Sequence, residues 1–417
     1  MTTEPRTLQP SEWEVWYDRL MSTFAVTQAP EERALSRALT ETERSIGVWD
    51  EGEPVGTAGL FSFRMTVPGG AAVPTAGVTA VSVAPTHRRR GVLRSMMRRQ
   101  LDDLHAAGQE PLAVLVASEP GIYGRFGYGL ATRELSADLD TARVTLDLPE
   151  ALERNADALR LRQADEAAAV RDACEAVYAR RVPERPGMLE RRPGWEDHPL
   201  LDAERTRKGA SPLRAVLALR DGEPVGYARF AVRPRWSERG SAEAEVMLRD
   251  LEGLDPAARA ALWRYLWGID LTSVLRVQGR PVDDPWQYLV SDVRRCAPRF
   301  ADGLFLRPVE VGAALAARAY AHPVEVVFEV EDAFCPWNTG RWRLSGDTRG
   351  AVCAPTRDAA DLSLSVRELA AAYLGGVSLS ALALAGLVRE ARPGSGALGA
   401  VAGAFLGDVE PWVPHGF

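Results

Sequence analysis

The sequence predicts a mixed α/β chain built from two successive α/β units followed by a smaller α+β unit. Three observations carry this expectation. Strand-like and helix-like segments alternate through the first two thirds of the chain. One turn hexapeptide occurs twice, as Glu51-Gly-Glu-Pro-Val-Gly56 and as Asp221-Gly-Glu-Pro-Val-Gly226, each between apolar runs of strand length. After about Ala297 the texture changes to an Ala-rich helix followed by alternating strands. A chain of 417 residues is also longer than one hydrophobic core supports. The expected units are residues 1–149, 150–296 and 297–417.

Within the first unit, Ser11 followed by Glu14 reads as a capping box. Trp13, Trp16, Tyr17 and Leu20 then form an apolar face at helical spacing. Residues 45–49 and 55–63 read as strands around the Glu51-Gly52 turn, and residues 77–83 as a further β-branched strand. Residues 91–106 set Leu93, Met96, Met97, Leu101 and Leu104 against arginines, the pattern of an amphipathic helix. Residues 111–117 are an apolar run of strand length. In the second unit, strands at 215–219 and 245–251 and a helix at 256–267 follow the same order. The flanks therefore favour a degenerate second copy of one fold over a turn that arose twice. In the third unit, residues 309–320 read as a helix and 324–330 as a strand. A turn lies between 342–344 and 351–353, Leu362, Leu364 and Val366 alternate, and 367–373 reads as helical.

Composition narrows the function. Apolar residues make up 46% and charged residues 26%, as in soluble globular domains. A net charge of −7 argues against a nucleic-acid surface and suits a cationic small-molecule substrate. Lys208 is the only lysine; arginine supplies the rest of the positive charge. Cys174, Cys296, Cys335 and Cys353 include no CxxC and have no histidine at ligand spacing, so reduced thiols and no metal are expected. The N-terminal stretch has no apolar signal core, and the apolar run at 377–388 is too short to span a bilayer. A cytoplasmic location is the expectation.

The chemistry concentrates in Val81-Ser-Val-Ala-Pro-Thr-His-Arg-Arg-Arg-Gly-Val-Leu-Arg94. A strand ends, a polar loop follows, and Gly91 opens a helix. Free N–H groups at a helix start, with the helix dipole, attract an anion. Arg88, Arg89 and Arg90 oppose that dipole unless an anion sits among them. Gly91 lets a pyrophosphate approach the backbone, having no Cβ.

This spacing of Arg88 and Gly91 resembles the acyl-CoA pyrophosphate loop of the GNAT superfamily, with Leu93 where a second small residue is usual. The strings Pro85–Arg94 and Ala117-Ser-Glu-Pro-Gly-Ile-Tyr-Gly-Arg-Phe-Gly-Tyr-Gly129 are similar, more specifically, to the enhanced intracellular survival (Eis) acetyltransferases. The resemblance covers the whole chain. It implies an active N-terminal GNAT unit, a degenerate central GNAT unit and a C-terminal unit like sterol carrier proteins. It also implies acetyl-CoA as co-substrate, with Val81, Ser82 and Val83 along the pantetheine arm. Arg88, Arg89, Arg90, Gly91, Val92, Leu93 and Arg94 would hold the pyrophosphate, and Ser118 and Glu119 would lie along the far strand.

By the same resemblance Tyr123 is the general acid, with Tyr128 its neighbouring rival, and the C-terminal carboxylate of Phe417 is the general base. The tail, Glu410-Pro-Trp-Val-Pro-His-Gly-Phe417, is apolar enough to dock into a groove, and His415 is a competing base. The chain departs from the family around Pro30, where no Asp precedes the proline and no Trp follows closely; Glu31 and Glu32 stand there instead. The implied function is acetylation of primary amines on a cationic, aminoglycoside-like small molecule by a homo-oligomer, a hexamer in the family. The alternatives are acetylation of protein or peptide lysines, and a lipid carrier acting through the third unit.

Overall fold

The computed structural model describes residues 4–417; the first three residues of the N-terminal stretch lie outside it. Among the described residues the strands form three sheets, and the chain falls into two compact units. The first unit takes residues up to Thr132, Arg185–Glu190 and Asp302–Phe417; the second takes Arg133–Glu184 and Arg191–Ala301.

The first sheet holds β1 (Arg6–Thr7), β2 (Ile46–Asp50), β3 (Glu53–Thr66), β4 (Ala72–Val83), β5 (Leu112–Val116), β6 (Gly129–Leu130) and β14 (Leu304–Pro308). Their spatial order is β1-β2-β3-β4-β5-β14-β6, antiparallel throughout except for β4 beside β5. That parallel pair is joined by helix α3 (Val92–Ala107), as a parallel connection requires. Helix α3 buries Val92, Met96, Met97, Gln100, Leu101 and Leu104, while Leu93 stays half-buried.

Helix α1 (Trp13–Phe24) buries Trp13, Trp16, Tyr17 and Leu20, as the spacing predicts. Its start differs from the expectation. The Gln9 N–H donates to Glu12 Oε2 at 3.0 Å, whereas Glu14 pairs with Arg33. A turn at Pro10–Glu12 opens the helix earlier, so Glu12 and not Glu14 faces the free N–H group. Helix α2 (Pro30–Leu39) is not foreseen in the sequence pattern, although Pro30 at its first position and Glu32 reaching back to the Ala29 N–H at 2.8 Å are ordinary start signals.

The second sheet holds β7 (Arg133–Asp140), β8 (Arg160–Ala164), β9 (Arg214–Arg220), β10 (Glu223–Arg233), β11 (Ala244–Gly253), β12 (Thr272–Pro281) and β13 (Arg299–Asp302), in the order β13-β7-β12-β11-β10-β9-β8. Helix α4 (Glu150–Asp157), α5 (Arg171–Arg181) and α6 (Glu204–Arg207) precede the hairpin. Helix α7 (Pro256–Trp267) joins the parallel pair β11 and β12 and has the bounds the sequence predicts.

The repeated hexapeptide has a physical basis in both sheets. Glu51 and Gly52 take φ of 49° and 86°, and Asp221 and Gly222 take 52° and 90°. Two successive left-handed residues make the hairpin turn that matches strand twist. The last glycine of each copy lies under a helix. A Cβ on Gly56 would stand 2.7 Å from Val92 of α3, and one on Gly226 would stand 3.0 Å from Leu262 of α7. Both ends of the hexapeptide are thus constrained, and by the same arrangement.

The two sheets also exchange a strand along the chain. β14, which follows the second unit in sequence, pairs with β5 in the first sheet; β7, which follows β6 of the first sheet directly, opens the second unit and pairs with β12. The expected divisions at 149/150 and 296/297 do not include this exchange.

The third sheet, β15 (Val324–Glu331), β16 (Gly340–Asp347), β17 (Gly350–Pro355), β18 (Leu362–Ser365) and β19 (Val388–Glu390), belongs to the first unit and runs β17-β16-β15-β18-β19. Helices α8 (Val311–Ala316), α9 (Val366–Ala372), α10 (Leu379–Leu384) and α11 (Ala397–Phe405) accompany it. The helix expected over 309–320 is shorter at both ends. Residues 304–308 already belong to a strand, and the buried Arg318 donates to the carbonyls of Ala319, Tyr373 and Phe405. Val366 opens α9 and does not extend the strand, because Ser365 Oγ accepts from the Arg367 N–H at 3.2 Å.

In the second unit, Arg229 of β10 is wholly buried. Its Nη2 donates to Glu175 Oε1 at 2.9 Å, and its Nη1 lies 3.7 Å from Asp250. Removing one partner of a buried ionic cluster leaves charge without compensation. Arg229→Met is expected to lower stability by about 3 kcal/mol or more in denaturant unfolding; an unchanged midpoint would show that the cluster contributes nothing.

Candidate active site

β4 and β5 pair over only three positions: Thr75 with Leu112, Ala76 with Ala113 and Gly77 with Val114. β4 nevertheless runs on to Val83. The cause is a bulge. Ala80 has φ of 52°, the register of β4 against β3 shifts between Thr57 and Gly59, and Thr57 Oγ1 donates to the Ala80 carbonyl at 2.7 Å. A bulge bends a strand and increases its twist. Beyond Gly77 the two strands therefore part, and their facing backbone groups have no ladder partner in each other.

The residues singled out in the sequence line this opening in three groups. Val81 and Val83 are half-buried at the end of β4. Ser82 is buried with its Oγ 2.7 Å from Thr57 Oγ1, so its hydroxyl is engaged with β3. Next comes the loop. His87 closes a short turn by donating its N–H to Ala84 O at 2.8 Å, and its Nε2 lies 3.1 Å from Asp50 Oδ2 at the tip of β2. Arg88, Arg89, Arg90 and Arg94 are exposed, with Arg89 and Gly91 both left-handed at φ of 63° and 84°. No side chain caps the start of α3, and nothing lies within 4 Å of a Cβ built on Gly91. Val92 is an exception within this group, being buried in the core under α3. Open N–H groups, room beside Gly91 and clustered guanidinium groups fit a pyrophosphate. The third group, Ser118 and Glu119, is exposed just beyond β5.

Tyr123 follows in a helical turn at Pro120–Phe126. The glycines of this segment are explained by close approach. Arg307 of β14 donates through Nη1 to the Phe126 carbonyl and through Nη2 to Asp332 Oδ2 at 2.6 Å. A Cβ on Gly127, at φ of 83°, would stand 1.6 Å from that Nη1; one on Gly129 would stand 2.1 Å from the Arg367 carbonyl of α9. The loop is thereby fastened to both β14 and α9.

The two tyrosines are distinguished by burial. Tyr128 is 1% exposed, and its hydroxyl has no hydrogen-bond partner among the described residues. Tyr123 is half-buried, edge-on to Tyr128 with ring centroids 6.0 Å apart. Burial, with a smaller contribution from Glu119, pushes the Tyr123 hydroxyl up to about 12. It therefore holds its proton throughout the neutral range, as a proton donor must.

Phe417 reaches the base of the opening. Its ring meets Phe63 of β3 edge-on at 5.0 Å. A Cβ on Gly77, at the last paired position of β4, would lie 2.4 Å from the Phe63 ring and 3.1 Å from the Phe417 ring. Trp412 and Val413 are buried, which anchors the tail. His415 is half-buried, with Nδ1 3.1 Å from the Gly416 carbonyl. Phe63, Gly77, Ala80 and Arg307 are not foreseen in the sequence reading. The alternating Phe61 and Phe63 are the one local signal that could have drawn attention to the site.

The second sheet shows the same opening closed. β11 and β12 pair from Ala244 to Met247, and beyond that Arg280 Nη1 donates to the Leu251 carbonyl at 2.9 Å while its Nε donates to Asp284 at 2.8 Å. At the start of α7, Asp255 Oδ1 accepts from the Ala258 N–H at 2.9 Å and Oδ2 pairs with Arg220 at 2.8 Å. A carboxylate sits where a phosphate would have to bind.

Among the described residues, no group of three or more His, Cys, Asp or Glu is placed to hold a metal, and no helix is long and apolar enough to cross a membrane. All four cysteines are free thiols, with Cys353 alone half-buried and the others buried.

Opened sheet, uncapped helix start and bulged strand together define a GNAT-type acetyltransferase domain. Residues 4–131 match a family model described as an acetyltransferase (GNAT) domain, residues 187–308 match a second such model, and residues 311–414 match a sterol carrier protein domain. The chain is 36% identical to the N-acetyltransferase Eis of Mycobacterium tuberculosis over 389 residues, 91% of each chain. It is 63% identical, over the whole of both chains, to an uncharacterised N-acetyltransferase of Streptomyces coelicolor. The crystal structure of Eis1 from Mycobacterium abscessus superposes with a TM-score of 0.83 at 32% identity, covering 99% of this chain and all of that one. The chain belongs to the Eis family of N-acetyltransferases and has two GNAT domains and a C-terminal sterol-carrier-like domain. The GNAT fold implies use of acetyl-CoA.

The burial of Tyr123 gives a direct test. Ultraviolet difference titration of the native chain and of Tyr123→Phe should differ by one phenolate transition with a midpoint near 12. A midpoint at the ordinary tyrosine value of about 10 would mean that solvent reaches the hydroxyl freely.

Proposed function

We propose that the chain transfers acetyl from acetyl-CoA to primary amines of a cationic, aminoglycoside-like small molecule. The observation that carries this reading is the seat of Phe417 against Phe63 and Gly77, at the point where β4 and β5 part. Bound in the opening, acetyl-CoA supplies the acetyl group as a thioester. The backbone of Val81, Ser82 and Val83 holds the arm on one side, and Ser118 and Glu119 flank it on the other. Arg88, Arg89, Arg90 and Arg94, with the N–H groups from Gly91 to Leu93, hold the pyrophosphate.

The amine nitrogen attacks the thioester carbonyl carbon, so a C–N bond forms and the C–S bond breaks. The Tyr123 hydroxyl donates its proton to the departing sulfur. The Phe417 carboxylate attracts the ammonium and takes its first proton; the second, released from nitrogen as the amide forms, restores the Tyr123 hydroxyl after it has protonated the sulfur. A free α-carboxylate has a pKa of about 3.5, so this is a weak base whose main contribution is to orient the cation and accept the proton late. The net charge of −7 favours approach of a polycation. The reading places the enzyme in the cytoplasm as a homo-oligomer, a hexamer as the resemblance implies, with the second GNAT domain binding no acetyl-CoA.

Two outcomes test the cofactor and catalytic assignments separately. Arg89→Ala with Arg90→Ala should weaken acetyl-CoA binding on the order of 10²-fold in calorimetry, because two charge-assisted contacts to phosphate are lost; unchanged affinity would remove the loop from the cofactor site. Tyr123→Phe, and deletion of Phe417, should each lower kcat by roughly 10²-fold while leaving acetyl-CoA affinity alone. Mass spectrometry of products from a panel of aminoglycosides and lysine peptides identifies the acceptor. Acetylation confined to peptides would replace the small-molecule reading, and a His415→Ala variant with the same loss as the Phe417 deletion would transfer the role of base.

A further inference from the structure

The catalytic tail is held by a segment from far away in the chain. Residues Arg185-Pro-Gly-Met-Leu-Glu190 are the only part of the sequence between 133 and 301 that belongs to the first unit. On one side this segment runs antiparallel to the end of β3. The Gly187 N–H donates to Thr66 O at 2.8 Å, the Thr66 N–H to Met188 O at 2.9 Å and the Glu190 N–H to Arg64 O at 2.9 Å, with Met65 bridged to Leu189. Met188 and Leu189 are completely buried. On the other side it grips the tail. The Trp412 N–H donates to Pro186 O at 2.8 Å, and Arg185 Nη1 donates to the Glu410 carbonyl at 2.6 Å. Gly187, at φ of 94°, lies so close to the tail that a Cβ would stand 2.8 Å from the Trp412 carbonyl oxygen and 3.1 Å from the Trp412 nitrogen.

β3 thus holds both components of the tail's seat. Its residues 64–66 carry the strap, and Phe63, immediately before them, meets the Phe417 ring. The residues that flank the strap in sequence belong to the second unit. Arg181, just before it, is buried and donates to Glu252 at 3.2 Å. Arg191, just after it, pairs with Glu175 at 2.6 Å and lies over the Tyr178 ring at 3.6 Å.

We propose that residues 185–190 are a positioning strap, lent by the sequence of the catalytically silent second GNAT domain, that sets the register of the tail and so the place of the Phe417 carboxylate. The inference rests on the reading of that carboxylate as the base. The Trp412 N–H bond to the Pro186 carbonyl and the Arg185 side-chain bond to the Glu410 carbonyl determine where residue 412 sits, and the stretch from there to Phe417 is five residues long and includes Pro414. A shift at Gly187 is transmitted to the carboxylate with little slack, since proline restricts the conformations that could absorb it.

Kinetics of the full-length chain test the strap. Gly187→Ala and Arg185→Met should each lower kcat about tenfold or more, while acetyl-CoA affinity by calorimetry stays within about twofold of native. Arg185→Lys, which retains a donor for the Glu410 carbonyl, should recover part of the loss. In a chain lacking Phe417 the same substitutions should cause no further loss of kcat, because groups acting through one another are not additive. Should Gly187→Ala not fold, the Arg185 pair decides alone. The strap is overturned if the folded variants keep native kcat, or if their losses add in full to that of the Phe417 deletion. Native kcat in the Phe417 deletion itself would overturn the base and the strap together, whereas a large loss there with silent strap variants would retire the strap and leave the base standing.

Discussion

A sheet interior strand cannot leave its backbone groups unpaired without some other partner, and the early parting of β4 from β5 creates such a debt of hydrogen bonds in the middle of the first sheet. The bulge at Ala80, fixed by the Thr57 hydroxyl, forces that parting. What surrounds the opening is arranged around it. The uncapped start of α3 lies at one end, and the aromatic seat formed by Phe63 and Phe417 lies at the base. Unpaired strand edges and a bare helix start are the groups that an extended amide-bearing arm with an anionic end would satisfy.

The second sheet shows what the same architecture does when no ligand completes it. Its parallel pair also separates early, and the protein closes the gap with its own side chains: Arg280 on the Leu251 carbonyl and Asp255 on the first turn of α7. Asp255 thus occupies the helix start and Arg280 a strand carbonyl, groups that stay open in the first sheet. Elsewhere in this unit Glu175, Arg191 and Arg229 form an ionic cluster.

Local features of the fold were legible in the residues. The hairpin turns at Glu51-Gly52 and Asp221-Gly222, the buried face of α3 and the limits of α7 all follow from periodicity and turn chemistry over short stretches. The arginine-glycine loop was visible for the same reason, because helix start, glycine and charge are neighbours in sequence. What escaped depends on partners distant in the chain. β14 is only five residues long, and nothing in its own pattern says that it pairs with β5 and not with its sequence neighbours. The glycines at 127 and 129 read as a loop, but their cause is the approach of Arg307 and of α9. The role of Gly77 depends on two aromatic rings, one of them on the last residue of the chain. The misplaced capping box at Ser11 is a smaller error of the same kind, since the competing carboxylate of Glu12 wins only because Pro10 starts the helix early.

The exchange of β7 and β14 has a consequence for biosynthesis. As the chain leaves the ribosome, β5 emerges with one side unpaired, and the strand that covers it is not made until the whole second domain has been translated. An exposed strand edge is a template for pairing with other chains. Contacts this distant in sequence also form slowly, because the intervening loop must close first. The first sheet therefore cannot be completed as an autonomous N-terminal domain during synthesis. The edge of β5 that β14 covers gains its partner only once residue 308 has been made.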